Sequence, residues 1–150
     1  MLSLRTIEPH TLELLKALMQ EPALCELRLV GGTALALQYG HRSSIDLDLF
    51  GKIDINGYEL QSILSKYGVL KVENETKIIH QFYVDNIKVD VVNYPFEWIS
   101  PMVKEDGVRL ASPVDIAAMK VNAIEGRGTK KDFIDMYMLL QNYTLAEILN

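Results

Sequence analysis

The stretch from Val30 to Phe50, VGGTALALQYGHRSSIDLDLF, constrains the fold more than any other part of the chain. An apolar strand from Leu27 to Val30 runs into two glycines and a threonine, and a short helix from Thr33 to Tyr39 closes at Gly40. The chain then returns as a strand from Ile45 to Phe50, with Asp46 and Asp48 one residue apart. On a strand this spacing puts both carboxylates on one face, and Ile45, Leu47 and Leu49 on the other, toward a core. Residues 34 through 45 are enough for one helix and a return into the neighbouring strand. The glycine turn and the aspartates therefore meet at one edge of a sheet.

That edge has a chemistry. Two carboxylates on one face repel each other, and a divalent cation is the usual remedy. Gly31, Gly32 and Thr33 open a helix with unhindered backbone N–H groups, which suits a phosphate. A side chain at Gly32 would block that approach, so Gly32→Val is expected to damage nucleotide binding more than stability. A third aspartate, Asp90, lies in Lys88-Val89-Asp90-Val91-Val92, a strand that is apolar through its centre without it. A carboxylate there needs compensation, which the other two aspartates and a metal would supply. An isolated Asp-x-Asp is most often a solvated sheet face, and an isolated Gly-Gly a plain tight turn. The combination is what points to phosphoryl or nucleotidyl chemistry.

Elsewhere the chain reads as follows. Pro9 opens a helix with Leu12, Leu15 and Met19 on one face, ended by Pro22. Asn56 caps a helix that ends near Tyr67. Strands follow at Val69–Glu73, Lys77–Val84 and Ile87–Val92, the last two joined by a tight turn at Asp85-Asn86. A long ordered loop from Asn93 to Asp106 precedes a short strand at Val108–Leu110, and its Tyr94, Phe96 and Trp98 read as packing residues. Ser112-Pro113 starts a helix that runs to about Glu125 and stops at Gly126; Thr129 and Thr144 cap two more, the last with Glu147 in the capping-box position. The order gives an α+β (mixed α/β) chain: a central mixed β-sheet flanked by helices, with a helical C-terminal third.

Lys120 falls on or beside the apolar stripe of Ala117, Val121 and Ile124. Its ammonium is expected to reach past the core edge into the cleft of Asp46, Asp48 and Asp90. Asp132 and Asp135 are three apart on one helix face, where Asp132 also suits a cap on Thr129. His41 reads as a loop residue.

Size and charge narrow the partners. With 150 residues, one domain spanning residues 1–150 is expected. A net charge of −5 argues against broad adhesion to nucleic acid, although Lys120, Arg127, Lys130 and Lys131 make a local basic patch. The single cysteine, Cys25, cannot form an intrachain disulfide, so a cytoplasmic location fits. No apolar run approaches membrane-spanning length and the N-terminus has no signal-peptide pattern, so no membrane partner is expected.

Taken together, the motifs resemble the nucleotidyltransferase superfamily that includes DNA polymerase β, and more closely the AbiEii/AbiGii toxin-type nucleotidyltransferases of bacteria and archaea. The resemblance is carried by Gly31-Gly32-Thr33-Ala34-Leu35, by Arg42 with Ser44 through Phe50, by Val89-Asp90-Val91, and by Lys120 through Asp135. The family often has serine where Thr33 stands, and many members carry a larger C-terminal helical region. The resemblance implies a nucleotidyltransferase-like fold and transfer of a nucleoside monophosphate from an NTP to a hydroxyl acceptor. A tRNA 3′ end or a protein side chain would accept it, within a toxin–antitoxin or phage-defence system that includes a cognate partner. It also implies roles. Asp46, Asp48 and Asp90 would hold two Mg²⁺ (or Mn²⁺) ions about 4 Å apart. Gly32, Thr33 and Ser44 would bind the β- and γ-phosphates, with Gly31 also in the nucleotide site. Lys120 would be catalytic, and Arg42, Lys131 and Asp132 would belong to the nucleotide site. Two other readings remain: a non-catalytic module of this fold in a toxin–antitoxin pair, and a small-molecule nucleotidyltransferase of the antibiotic-modifying kind. The three carboxylates favour an enzyme.

Overall fold

A computed structural model describes residues 2–126 and 130–141 of the chain. After a short 3-10 turn, α1 (Pro9–Met19) is capped by the Glu8 carboxylate, which accepts from the backbone N–H groups of His10 and Thr11. β1 (Arg28–Val30) runs straight into α2 (Gly31–Tyr39), which ends on Gly40 in the left-handed conformation. β2 (Leu47–Gly51) and α3 (Gly57–Leu64) follow, with the Asn56 side chain capping α3. Then come β3 (Leu70–Glu75), β4 (Ile79–Val84), β5 (Ile87–Asn93), β6 (Val103–Glu105) and β7 (Val108–Leu110). The chain continues as α4 (Pro113–Gly126) and α5 (Lys130–Leu140). Arg127, Thr129, Thr144, Glu147 and the side chain of Ile124 lie outside the described residues.

The strands form one mixed sheet in the order β3-β4-β5-β2-β1-β7-β6. β2 is antiparallel to β1 and parallel to β5, and this fixes the site. Two rungs cross these three strands: Val30–Asp48–Asp90 and, two residues along, Arg28–Phe50–Val92. Residues paired across strands share a face, so both rungs project from the same side. The other side carries Leu29, Leu47, Leu49, Val89 and Val91, all buried in a single core cluster. α2 is apolar nearly all round, with Ala34, Leu35, Ala36 and Leu37 fully buried, and it contacts β1, β2, α4 and α5. No helix among the described residues is long and apolar enough to cross a membrane.

Three sequence expectations change. β2 starts at Leu47, so Asp46 precedes the strand and Ile45 is 64% exposed instead of facing the core. Alternation requires a paired strand, and β1 ends at Val30, opposite Asp48, where the chain turns into α2. The Ser44 N–H donates to Thr6 O instead, turning Ser44 inward and Ile45 out. Secondly, α3 ends at Leu64, three residues before Tyr67. Thirdly, Val103–Glu105 is a strand where a loop was expected. It pairs with β7 through a turn at Asp106-Gly107, whose φ values of 52 and 77 match the left-handed pair at Asp85-Asn86.

Candidate active site

The parallel pairing of β2 with β5 sets Asp48 directly opposite Asp90. Burial, then the neighbouring carboxylates of Asp90 and Asp46, push Asp48 up to about 7. Burial also raises Asp90, against the pull of Lys88, whose Nζ stands 3.9 Å from Asp90 Oδ2. Asp90 Oδ1 is buried and has no hydrogen-bond partner among the described residues. These carboxylates are short of positive charge. Among the described residues no group of three or more His, Cys, Asp or Glu is placed so that it could hold a metal ion as it stands. The donor set nonetheless suits a hard divalent cation: an orphaned carboxylate oxygen beside a carboxyl whose proton a cation would displace.

Gly31 belongs to this rung. Its φ is +72, a conformation that disfavours side chains, and a Cβ there would lie 2.7 Å from Asp48 Oδ2. Its backbone can approach Asp48 only as glycine. α2 begins without a side-chain cap, so its first N–H groups are left for other acceptors. Thr33 serves a different purpose from the phosphate contact that the motif suggests. Its hydroxyl donates to the backbone carbonyl of Asp46, and Ser44 Oγ donates to Thr33 Oγ1 at 2.6 Å. With both protons so used, these hydroxyls hold Asp46 in place and have none left for a phosphate oxygen.

A second buried carboxylate lies nearby in the opposite condition. Asp135, fully buried, accepts from Arg42 Nε at 2.7 Å and Arg42 Nη2 at 2.8 Å, and from His41 Nε2 at 2.6 Å. Lys120 Nζ completes the set, 2.9 Å from Asp135 Oδ2 and 3.0 Å from Asp132 Oδ1. Burial alone would raise Asp135, but the bonds from Arg42, then His41 and Lys120, hold it below the usual carboxylate value. Arg42 is thus committed to Asp135, not to the aspartates of the β2–β5 rung. Lys120 is buried at the cleft, and its ion pairs are with Asp132 and Asp135. Gly32 is bound up with this cluster, because a Cβ on it would sit 1.9 Å from Arg42 Nη2.

Two clefts meet at the carboxylates. One, of about 510 Å³, runs from Gly32, Thr33 and Ser44 past Asp46, Asp48 and Asp90, and is rimmed by Lys88, Lys130 and Lys131. The other, of about 630 Å³, shares Asp48, Asp90 and Lys120, and continues between Phe50, Tyr94 and Phe96 on one side and Ile116 and Met119 of α4 on the other. Tyr94 stands 5.6, 5.2 and 5.0 Å from the rings of Phe50, Phe96 and Trp98. Asp115 of α4 ties this aromatic loop down, accepting from Ile99 N at 2.8 Å and Ser100 N at 3.1 Å.

The structure thus brings Gly31, Gly32, Thr33, Arg42, Ser44, Asp46, Asp48, Asp90, Lys120, Lys131 and Asp132 around one junction. Sequence reasoning missed Asp135 as the hub of the cationic cluster and His41 as its partner. It also read the aromatic loop as packing only, where Tyr94 and Phe96 line a cleft.

The chain matches the family model for the nucleotidyl transferase AbiEii toxin of type IV toxin–antitoxin systems over residues 13–150. Uncharacterized protein aq_aa25 of Aquifex aeolicus is 33% identical over 119 residues, covering 77% of this chain and 58% of that protein. The chain therefore spans little more than half the length of that relative. Its fold is similar to that of JHP933 from Helicobacter pylori, with TM-score 0.63 and 21% identity over 91% of this chain and 68% of that one. It is also similar to the antibiotic-resistance factor ANT(2″)-Ia, with TM-score 0.67 and 15% identity over 91% of this chain and 86% of that one. A third likeness is to the polyadenylate synthase of Megavirus, with TM-score 0.63 and 19% identity, covering 89% of this chain and 31% of that one. By its match over nearly the whole chain, and by a nucleotidyltransferase fold, the protein belongs to the AbiEii nucleotidyltransferase toxin family.

Proposed function

We propose that the protein is a divalent-metal-dependent nucleotidyltransferase that moves a nucleoside monophosphate from an NTP to a hydroxyl acceptor. The observation that carries this reading is the Asp48–Asp90 rung, with Asp46 beside it, under-neutralised at the meeting point of a cationic and an aromatic cleft. In the reaction the acceptor oxygen bonds to the α-phosphorus, the bond to the bridging oxygen breaks, and pyrophosphate leaves with its electron pair. The triphosphate lies in the cationic cleft, along the uncapped start of α2, within reach of Lys88, Lys130 and Lys131. Asp46, Asp48 and Asp90 would hold Mg²⁺ or Mn²⁺, which when bound lowers the acceptor hydroxyl's pKa and offsets phosphate charge. Asp90, with an unpartnered oxygen, faces the acceptor. Lys120 lines both clefts and directs its charge at the transferred phosphate, while Asp132 and Asp135 fix its position. Arg42 acts as a positioning residue through Asp135, and Thr33 and Ser44 act through Asp46.

Family membership supports a role as the toxin of a type IV toxin–antitoxin pair; we propose a tRNA 3′ end or a protein side chain in the cytoplasm as acceptor and a cognate antitoxin as partner. Incubating the protein with each α-labelled NTP, Mg²⁺, and tRNA or cell extract tests the reading. Label should move to a macromolecule with the wild type and not with Asp48→Ala or Asp90→Ala. Absence of transfer with every NTP, or transfer undiminished in those variants, would sink it.

A further inference from the structure

Beyond the aromatic wall is a third cavity, of about 530 Å³, lined by Arg28, Lys52, Trp98 and Ser100, and sharing Tyr94 and Phe96 with the active-site cleft. At its base is a buried charge that the fold leaves unsatisfied. Arg28 is only 9% exposed, yet among the described residues a single hydrogen bond is made by its guanidinium, from Nη1 to Ser100 O at 3.0 Å. Its Nε is buried without a partner among them. The face of Trp98 covers it, 4.4 Å from guanidinium carbon to ring centroid. Burial lowers its pKa, and among the described residues the carboxylate acting against that is Asp115, whose oxygens are taken by Ile99 N, Ser100 N and Ser112 Oγ.

Arg109 is the control within the same sheet. Its Nε, Nη1 and Nη2 donate to the carbonyls of Leu27, Met19 and Leu24 at 3.0, 3.0 and 2.8 Å. That guanidinium is consumed by structure, whereas the Arg28 fork has donors to spare. A buried, cationic, planar fork with unused donors is the arrangement that recognises phosphate. Lys52 adds a second, solvated cation to the lining, against the exposed carboxylates of Glu26 and Glu97, which leaves the buried Arg28 fork as the anion-selective element.

Register then relates the cavity to the chemistry. Arg28 belongs to the Arg28–Phe50–Val92 rung, on the same face as Val30–Asp48–Asp90 and two residues away, about 7 Å along the sheet. We infer that Arg28, under Trp98, forms a phosphate-binding subsite one rung from the carboxylates, which holds a phosphate group of the hydroxyl acceptor. An acceptor lying across Tyr94 and Phe96 presents its hydroxyl to Asp90 and its phosphate to Arg28. That role in transfer rests on the nucleotidyltransferase reading; phosphate binding at Arg28 does not.

Trp98 is the only tryptophan of the chain and lies over Arg28, so its fluorescence reports on this cavity, and a variant of the cationic-cleft lysines separates it from events in that cleft. The probes are inorganic phosphate, ribose 5-phosphate and an RNA trinucleotide with a free 3′ hydroxyl, titrated without NTP or metal against chloride at matched ionic strength. A saturable change is expected in the wild type and in a Lys130→Ser/Lys131→Ser variant, whose cations line the other cleft. Arg28→Gln should weaken the response about tenfold or more, as should Arg28→Lys, which keeps the charge but not the fork, so a folding failure in the first leaves the second as the test. The tighter of ribose 5-phosphate and RNA names the source of the phosphate. No response beyond chloride to any probe, wild-type affinity in the folded Arg28 variants, or loss of the response in the lysine variant would overturn the subsite. None of these readouts needs turnover, so the subsite and the transferase reading fail separately.

Discussion

Two aspartate sites, one half-buried and one fully buried, stand beside the same cleft in opposite electrostatic conditions. At the Asp48–Asp90 rung, carboxylate faces carboxylate, Asp48 is pushed up to about 7, and one oxygen has no hydrogen-bond partner among the described residues. At Asp135, a single carboxylate is met by Arg42, His41 and Lys120 and is held below its ordinary range. The first site is left with uncompensated negative charge. The second is closed, and its bonds tie the loop after α2 to α4 and α5. Aspartate identity alone does not distinguish a ligand from a girder; the surrounding charge does.

The contrast breaks hardest at Asp135. Asp135→Ala should strip Arg42 of its counter-ion and leave Lys120 with Asp132 alone, at a cost of about 3–5 kcal/mol, lowering the melting temperature by roughly 10 °C. A drop under about 2 °C in a thermal melt would mean that the cluster is not structural. Gly32→Ala attacks the same frame from the backbone side. The added methyl displaces the Arg42 guanidinium from Asp135, and about 2 kcal/mol of stability should go with it, visible in urea denaturation before any ligand is added. The motif-based expectation that a side chain at Gly32 harms binding more than stability would survive only if that stability were unchanged.

The rung should respond with the opposite sign. Folded, Asp48 keeps its proton to about 7, while in the unfolded chain it titrates near its ordinary value of 3.8. The folded state binds more protons across that window, so the stability Asp48 allows is full at low pH and is lost as pH rises through about 7. Asp48→Asn should therefore raise the metal-free melting temperature by about 5 °C at pH 8 and by clearly less at pH 5. Mg²⁺ should stabilise the wild type at pH 8 and do little for this variant; equal metal shifts in both proteins would remove Asp48 from the metal set. The smallest effect belongs to Thr33→Val, which severs the bond to Asp46 O and should cost about 1 kcal/mol.

The same contrast explains what could be read in the sequence. Asp46, Asp48, Asp90 and the glycine turn were legible because each belongs to a short motif whose spacing and apolar neighbours are local. Asp135 was not, because its partners Arg42 and Lys120 come from separate helices and loops, the former 93 positions away in the chain. Ile45 was misread because strict alternation applies only while a strand has a neighbour, and β1 ends at Val30. β6 escaped notice since Val103-Lys104-Glu105 is short and becomes a strand only by pairing with β7. Arg28 gave no signal at all: Arg-Leu-Val is an ordinary strand until the third dimension shows what its fork lacks.

The bonds from Asp115 to Ile99 and Ser100 have a mechanical meaning. They splice the aromatic loop onto the first turn of α4, the same helix that brings Ile116, Met119 and Lys120 to the clefts. Both walls of the aromatic cleft that face away from the sheet therefore travel as one piece. A molecule that wedges the loop outward must carry Lys120 with it and strain the ion pairs to Asp132 and Asp135. Occupancy at one end of the groove is thereby felt at the other as a displaced ammonium, through a single short splint.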